Sequence, residues 1–213
     1  MNKSIYSFLL ADKVIERIDR AAYEMNMSRS GLVNRILAEY VSYVTPEQRM
    51  QAIFEQMQRM FDESVFRMLP RPSEAVIAMR TALSFKYSPS IRYSVELYRS
   101  SRPAAGILRV AARTQSEALL HELAVFFRVW TRLEAGRGFD ENHSAFSGGH
   151  YARELFPSGE LTESETADAI ADYILILDGS IKTYFDSLPD RDEAIARVSD
   201  FYDKAFSQGR ISV

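Results

Sequence analysis

Cysteine is absent from the 213 residues. Disulfides, thiolate metal sites and cysteine nucleophiles are therefore excluded. No run approaches the roughly 20 apolar residues that a membrane helix needs. The N-terminus also has no apolar stretch ending in a small-residue cleavage site, so the expected location is the cytoplasm. Histidine is scarce: His121, His143 and His150 are the three. There is no strong excess of either charge, the net being −3. Glycine is sparse too, and Gly148-Gly149 opens no phosphate-binding motif.

The composition that remains is ordinary for a globular chain, 46% hydrophobic and 26% charged. Its length suits one large domain or two small ones. Residues 1–50 hold seven Lys/Arg against six Asp/Glu, which leaves 19 basic and 23 acidic residues in 51–213. The first segment is therefore +1 and the remainder −4. Nucleic-acid binding cannot rest on bulk attraction and requires local placement of charge.

Ser4–Leu10 alternates, with Tyr6, Phe8 and Leu10 on one face and Ile5, Ser7 and Leu9 on the other, as in a strand. From Asp12 the period becomes helical through Val14, Ile15, Ile18, Ala21, Ala22 and Met25. Asn26 tolerates the left-handed conformation that ends a helix, and Ser28 is a good N-cap for the next. That second helix carries Leu32, Val33, Ile36, Leu37, Tyr40 and Val41 on its stripe. A lone strand leaves both edges unpaired, and one copy of so short a segment buries too little of its own stripes. Pairing with the same strand of a second copy answers both problems and predicts a homodimer through residues 4–41.

The order Leu10-Ala11-Asp12-Lys13-Val14-Ile15-Glu16-Arg17-Ile18-Asp19, followed by Ser28-Arg29-Ser30-Gly31-Leu32-Val33, resembles the ribbon-helix-helix family of bacterial DNA-binding proteins (the Arc, MetJ and CopG type). The resemblance covers about a fifth of the chain, by order and spacing rather than by any single motif. It implies an antiparallel ribbon in the major groove, reading bases with outward side chains. It also implies a backbone phosphate on the N-terminus of the second helix. Carried over by position, the base-facing residues are Lys3, Ile5, Ser7 and Leu9. The phosphate-binding residues are Ser28, Arg29, Ser30 and Gly31. Three positions differ from the family pattern: Ala11 stands for a frequent proline, Asn26 for a frequent glycine, and Gly31 for a frequent acidic residue. The outward strand face differs more, because Ile5 and Leu9 touch only thymine methyls where family members carry polar side chains.

In residues 46–213, Thr45-Pro46-Glu47-Gln48 starts a helix by a capping box. Its stripe runs through Ile53, Phe54, Met57, Met60, Phe61, Val65 and Met68 to Leu69, and Pro70 ends it. Alternation in 83–87, 91–97 and 107–112 predicts a three-stranded antiparallel meander, with 75–82 readable as a helix. Thr114–Glu117 and Thr162–Glu165 are two further capping boxes, and a last helix starts at Pro189-Asp190. The glycine-containing stretch 136–160 reads as loop, and the second of the long helices bends at Gly179.

The fold class expected is α+β: a ribbon-helix-helix segment over 1–45, then a larger, mainly helical domain over 46–213 with a small sheet of about three strands. The implied function is a bacterial sequence-specific transcriptional regulator whose partners are DNA and a second copy of itself. Residues 46–213 would serve oligomerisation, a small-molecule effector or a protein partner. The alternative is an antitoxin-like or scaffold protein that uses the first segment chiefly to dimerise. No nucleophile–base spacing indicates an enzyme, and no cofactor or metal is expected. His143 and His150 with Asp140, Glu141 and Glu154 read as a solvated loop sooner than as ligands. His121 reads as a partly buried, satisfied side chain. Arg92, Arg99, Arg102, Arg109 and Arg113 lie on or between the strands, as solvated faces or as a basic strip for an acidic ligand.

Overall fold

The computed structural model describes residues 7–99, 103–159 and 161–213. The chain divides into two compact units, Met1–Arg49 and Met50–Val213.

In the first unit, α1 (Asp12–Glu24) and α2 (Arg29–Tyr40) form a helix pair. Asn26 takes the left-handed conformation at φ 51°. The chain can therefore turn after α1, whose end closes with Met27 N–H on Ala22 O at 3.0 Å. Ala22, Leu32 and Ala38 are buried. Ile15, Ile18, Ala21 and Val33 are half-buried, and much of the remaining stripe is bare within one chain: Val14, Met25, Ile36, Leu37, Tyr40 and Val41 are all exposed, Tyr40 by 87%. Of the alternating segment, Ser4–Tyr6 lies outside the described residues. Ser7–Leu10 forms neither helix nor strand in the single chain.

The second unit is built on one antiparallel sheet of six strands in the order β1-β2-β3-β4-β6-β5. They are β1 (Arg67–Met68), β2 (Val76–Ala82), β3 (Ser90–Leu97), β4 (Gly106–Ala112), β5 (Ser144–Ser147) and β6 (His150–Leu155). The expectation of a small sheet of about three strands in a mainly helical domain is corrected. The stretch 75–82, readable as a helix, holds strand β2, and 83–87, read as a strand, is the turn after it, with Tyr87 and Ser88 at positive φ. The stretch read as loop holds the β5–β6 hairpin, and Gly148-Gly149 is its turn, at φ 56° and 80°. Type I′ hairpin turns require two such residues, so these glycines join two strands rather than interrupt a loop.

Alternation sets the two faces of the sheet. Ile77, Met79, Tyr93, Val95, Leu108, Val110, Tyr151 and Leu155 point to one buried side. They join one core with side chains of α3 (Pro46–Met60), α4 (Glu117–Ala135), α5 (Glu163–Asp186) and α6 (Arg191–Ser207). Helix starts follow local chemistry. Thr45 and Gln48 exchange two hydrogen bonds, as do Thr162 and Glu165. The cap of α4 is Ser116 rather than Thr114, its Oγ accepting from Leu119 N–H. Helix α3 stops at Met60, earlier than its stripe suggests. Asp62 takes Ser64 N–H at 2.8 Å and turns the chain, so that Phe61 and Phe66 re-enter the core. Helix α5 is continuous through Gly179. A Cβ there would lie 3.1 Å from the Phe201 ring, so the glycine lets α6 approach closely. Among the described residues, no helix is long and apolar enough to cross a membrane.

Candidate functional site

The break between α1 and α2 brings together the residues expected at a phosphate. Ser28 Oγ accepts Gly31 N–H at 3.1 Å and lies 3.4 Å from Ser30 Oγ. Ser28, Arg29 and Ser30 are exposed, and Gly31 is half-buried. A helix start leaves N–H groups without intrahelical partners and carries a partial positive charge, which suits an anion. A Cβ on Gly31 would approach Ser28 Oγ to 3.1 Å, so the missing side chain keeps the cap geometry relaxed.

One contact was not foreseen. Asp19 on α1 grips Arg29 with both carboxylate oxygens, on Nε and Nη2. The hydrogen bond from Arg29 holds Asp19 below the usual carboxylate range, and the same bond raises the guanidinium. Both groups are exposed, so the pair mainly sets direction: it fixes the Arg29 side chain across the two helices. The sequence offered a signal in the acid on the outer face of α1, but not the pairing. Among the residues expected to face bases, Lys3 and Ile5 lie outside the described residues. Ser7 and Leu9 are exposed, Leu9 completely so at 104%.

Two buried polar centres in the second unit were missed. On β6, Arg153 is two residues from both Tyr151 and Leu155, shares their face and so points inward. There its Nε meets Glu134 Oε1 of α4 at 2.8 Å, and both side chains are 4% exposed. Tyr173 and Tyr151 also donate to Glu134, Trp130 donates to Tyr173, and Arg153 donates to the Val213 carbonyl. Burial raises the Glu134 carboxyl above its ordinary value against the pull of Arg153. A cavity of about 30 Å³ beside the pair is lined by Asp140, His143 and Glu154 and has room for about one water. Under β2 and β3, Asp178 of α5 accepts from Thr81, Tyr93 and Lys182 at 2.6–2.9 Å. Each acid sits where a helical stripe calls for an apolar residue, which is the only trace either leaves in the sequence.

The remaining candidates do not converge. His121 is exposed rather than partly buried, because it lies on the outer side of α4. His143 meets Glu154 at 2.7 Å and stacks on Phe156, while His150 stands apart on β6. Among the described residues, no three His, Asp or Glu are grouped to hold a metal ion. Arg92 and Arg109 share the outer face of the sheet, and Arg109 pairs with Glu96 at 2.7 Å. Arg99 and Arg113 follow the ends of β3 and β4, and Arg102 lies outside the described residues. A solvent-open groove of about 790 Å³ between α4 and β5 is lined in part by Phe127, Arg128, Arg132 and Phe146. Compared with protein-family models, curated proteins and solved structures, the chain has no match in any of the three.

Proposed function

We propose that this protein is a ribbon-helix-helix type DNA-binding regulator that acts as a homodimer or higher oligomer in the cytoplasm. The observation that carries the reading is the first unit's helix pair. It has a left-handed break at Asn26, a Ser28-capped second helix, and an apolar stripe left bare in one chain. A stripe of that kind is stabilising only when covered, and a second copy supplies the same stripe in return. Residues 4–10 of the two copies then pair as the ribbon, with Lys3, Ile5, Ser7 and Leu9 toward the bases. Ser28, Arg29, Ser30 and Gly31 take a backbone phosphate. Arg29 keeps its grip on Asp19 while presenting its remaining N–H groups. The reading assigns no catalysis and requires no cofactor or metal. Residues 46–213 supply oligomerisation or an effector or partner contact, and the groove beside β5 is the place for an effector.

The second reading is an antitoxin-like or scaffold protein that uses the first unit chiefly to dimerise. It is favoured by the apolar Leu9 and by an Arg29 already neutralised by Asp19. Fluorescence anisotropy on duplex DNA over a range of salt separates the two. The DNA reading expects log K to fall steeply with log salt. A slope near zero, with dimerisation intact, leaves the scaffold reading.

A further inference from the structure

The register of the sheet sets three arginines abreast. Arg67 on β1 lies opposite Arg80 on β2, and Arg80 lies opposite Arg92 on β3. Residues directly opposite in an antiparallel pair share a face, and all three are exposed on the side away from the core. Neighbouring strands are about 4.8 Å apart, so the row spans roughly 10 Å. Among the described residues, none of the three has an ion pair or a side-chain hydrogen bond. Glu96, the acid further along the same face of β3, is occupied by Arg109. Ala111 and then His150 continue the row on β4 and β6. The flanking positions on this face are small: Ala82 and Ser90 on one side, Ser94 and the buried Ala78 on the other.

Like charges directly opposite one another destabilise a sheet. A face that needed only to be wetted would alternate signs. Basic composition does not produce the row either, since residues 51–213 are acidic overall. Every member is Arg, whose planar fork matches phosphate oxygens two at a time. The aliphatic side chains on this face, Val76 and Ile107, stand away from the row beside Glu96 and are partly buried, so the row itself presents charge rather than an apolar anchor.

We propose that Arg67, Arg80 and Arg92 form a second, sequence-independent contact with DNA backbone phosphates, an inference that rests on the DNA-binding reading of the first unit. Contacts of this kind add affinity without selecting a base sequence.

The test uses the full chain on random-sequence duplex, comparing wild type, the triple variant R67Q/R80Q/R92Q and the double variant S28A/R29A. Losing three phosphate contacts should reduce the slope of log K against log salt by about 2.7. The loss should be the same on every duplex sequence. The triple variant should melt no lower than wild type, because the opposed charges are gone. If it does melt lower, R92Q alone should still reduce the slope by about 0.9. A triple variant with the wild-type slope overturns the row, even if S28A/R29A loses binding and so supports the first-unit contact. The reverse pattern supports the row and removes the first-unit contact. A wild type that binds no duplex overturns both. A triple variant that loses binding to poly-glutamate alone, with DNA binding unchanged, overturns the row in favour of an acidic protein partner.

Discussion

Arg153 of β6 and Glu134 of α4 meet at 2.8 Å inside the core, where only 4% of either side chain is exposed. Both charges are withdrawn from bulk solvent, so each depends chiefly on the other and on the two tyrosines that donate to Glu134. Removing one partner leaves an uncompensated buried charge, at a cost of about 3–5 kcal/mol. R153M should therefore destabilise the second unit by that amount in urea titration. The double variant E134L/R153M should cost clearly less than the sum of E134L and R153M. Additivity of the two single changes would mean that the pair is not coupled.

Glu122 on α4 is gripped by Arg191 of α6 and accepts from Tyr184. The hydrogen bond from Arg191, opposed by some desolvation, holds its carboxyl below the ordinary value near 4.5. A carboxyl depressed in the folded state protonates first in the unfolded chain. Its stabilisation is complete above about pH 4.5 and is lost as pH falls through the lower folded value. The stability difference between wild type and E122Q should be constant from pH 7 to 5.5 and should shrink on further acidification. Denaturation curves at a series of pH values measure it.

Ser180 lies in the middle of α5 with no exposed surface, and its hydroxyl has no hydrogen-bond partner among the described residues. An unmet buried hydroxyl costs about 1–3 kcal/mol, and alanine is also the better helix former. S180A should raise the midpoint of unfolding, by an amount on the order of 1 kcal/mol. A loss of stability would reveal a partner for Ser180 Oγ.

Ile36 stands on the bare stripe of α2, 47% exposed in one chain. A carboxylate there is tolerated by the monomer and is buried unpaired if a second copy covers the stripe. I36D should weaken self-association by roughly 100-fold or more, the scale of burying an uncompensated polar group. Sedimentation equilibrium on the full chain reads it. Unchanged association would move the dimer contact away from this stripe.

Features whose chemistry is local were readable in the sequence. Asn26, Ser28, Thr45 with Gln48, and Thr162 with Glu165 each act on backbone groups within a few residues, and each stands where its type suggests. The sheet was legible only where apolar alternation ran long, in β3 and β4. Strand β1 is two residues long, and β5–β6 is bounded by glycines and carries a buried arginine, so neither has the usual pattern. At the first-unit site the capping serine was readable, whereas Asp19 as the holder of Arg29 was not. The helix pair brings those two together by tertiary packing, and no spacing rule encodes it. Glu134 with Arg153, and Asp178 with Tyr93, are hidden for the same reason: each acid makes sense only beside a partner from another element.

The sheet has two ends, and both are cut short. One is the two-residue β1, the other the four-residue β5. An edge that brief offers a stray strand almost no ladder to climb, so stacking of sheets into fibrils has little to start from. What the second unit withholds from other chains, the first unit offers openly. Among the described residues, most of the large apolar side chains left exposed lie in 8–44, with Val65, Tyr87 and Phe201 the exceptions, so any apolar contact with another chain is concentrated in the first unit.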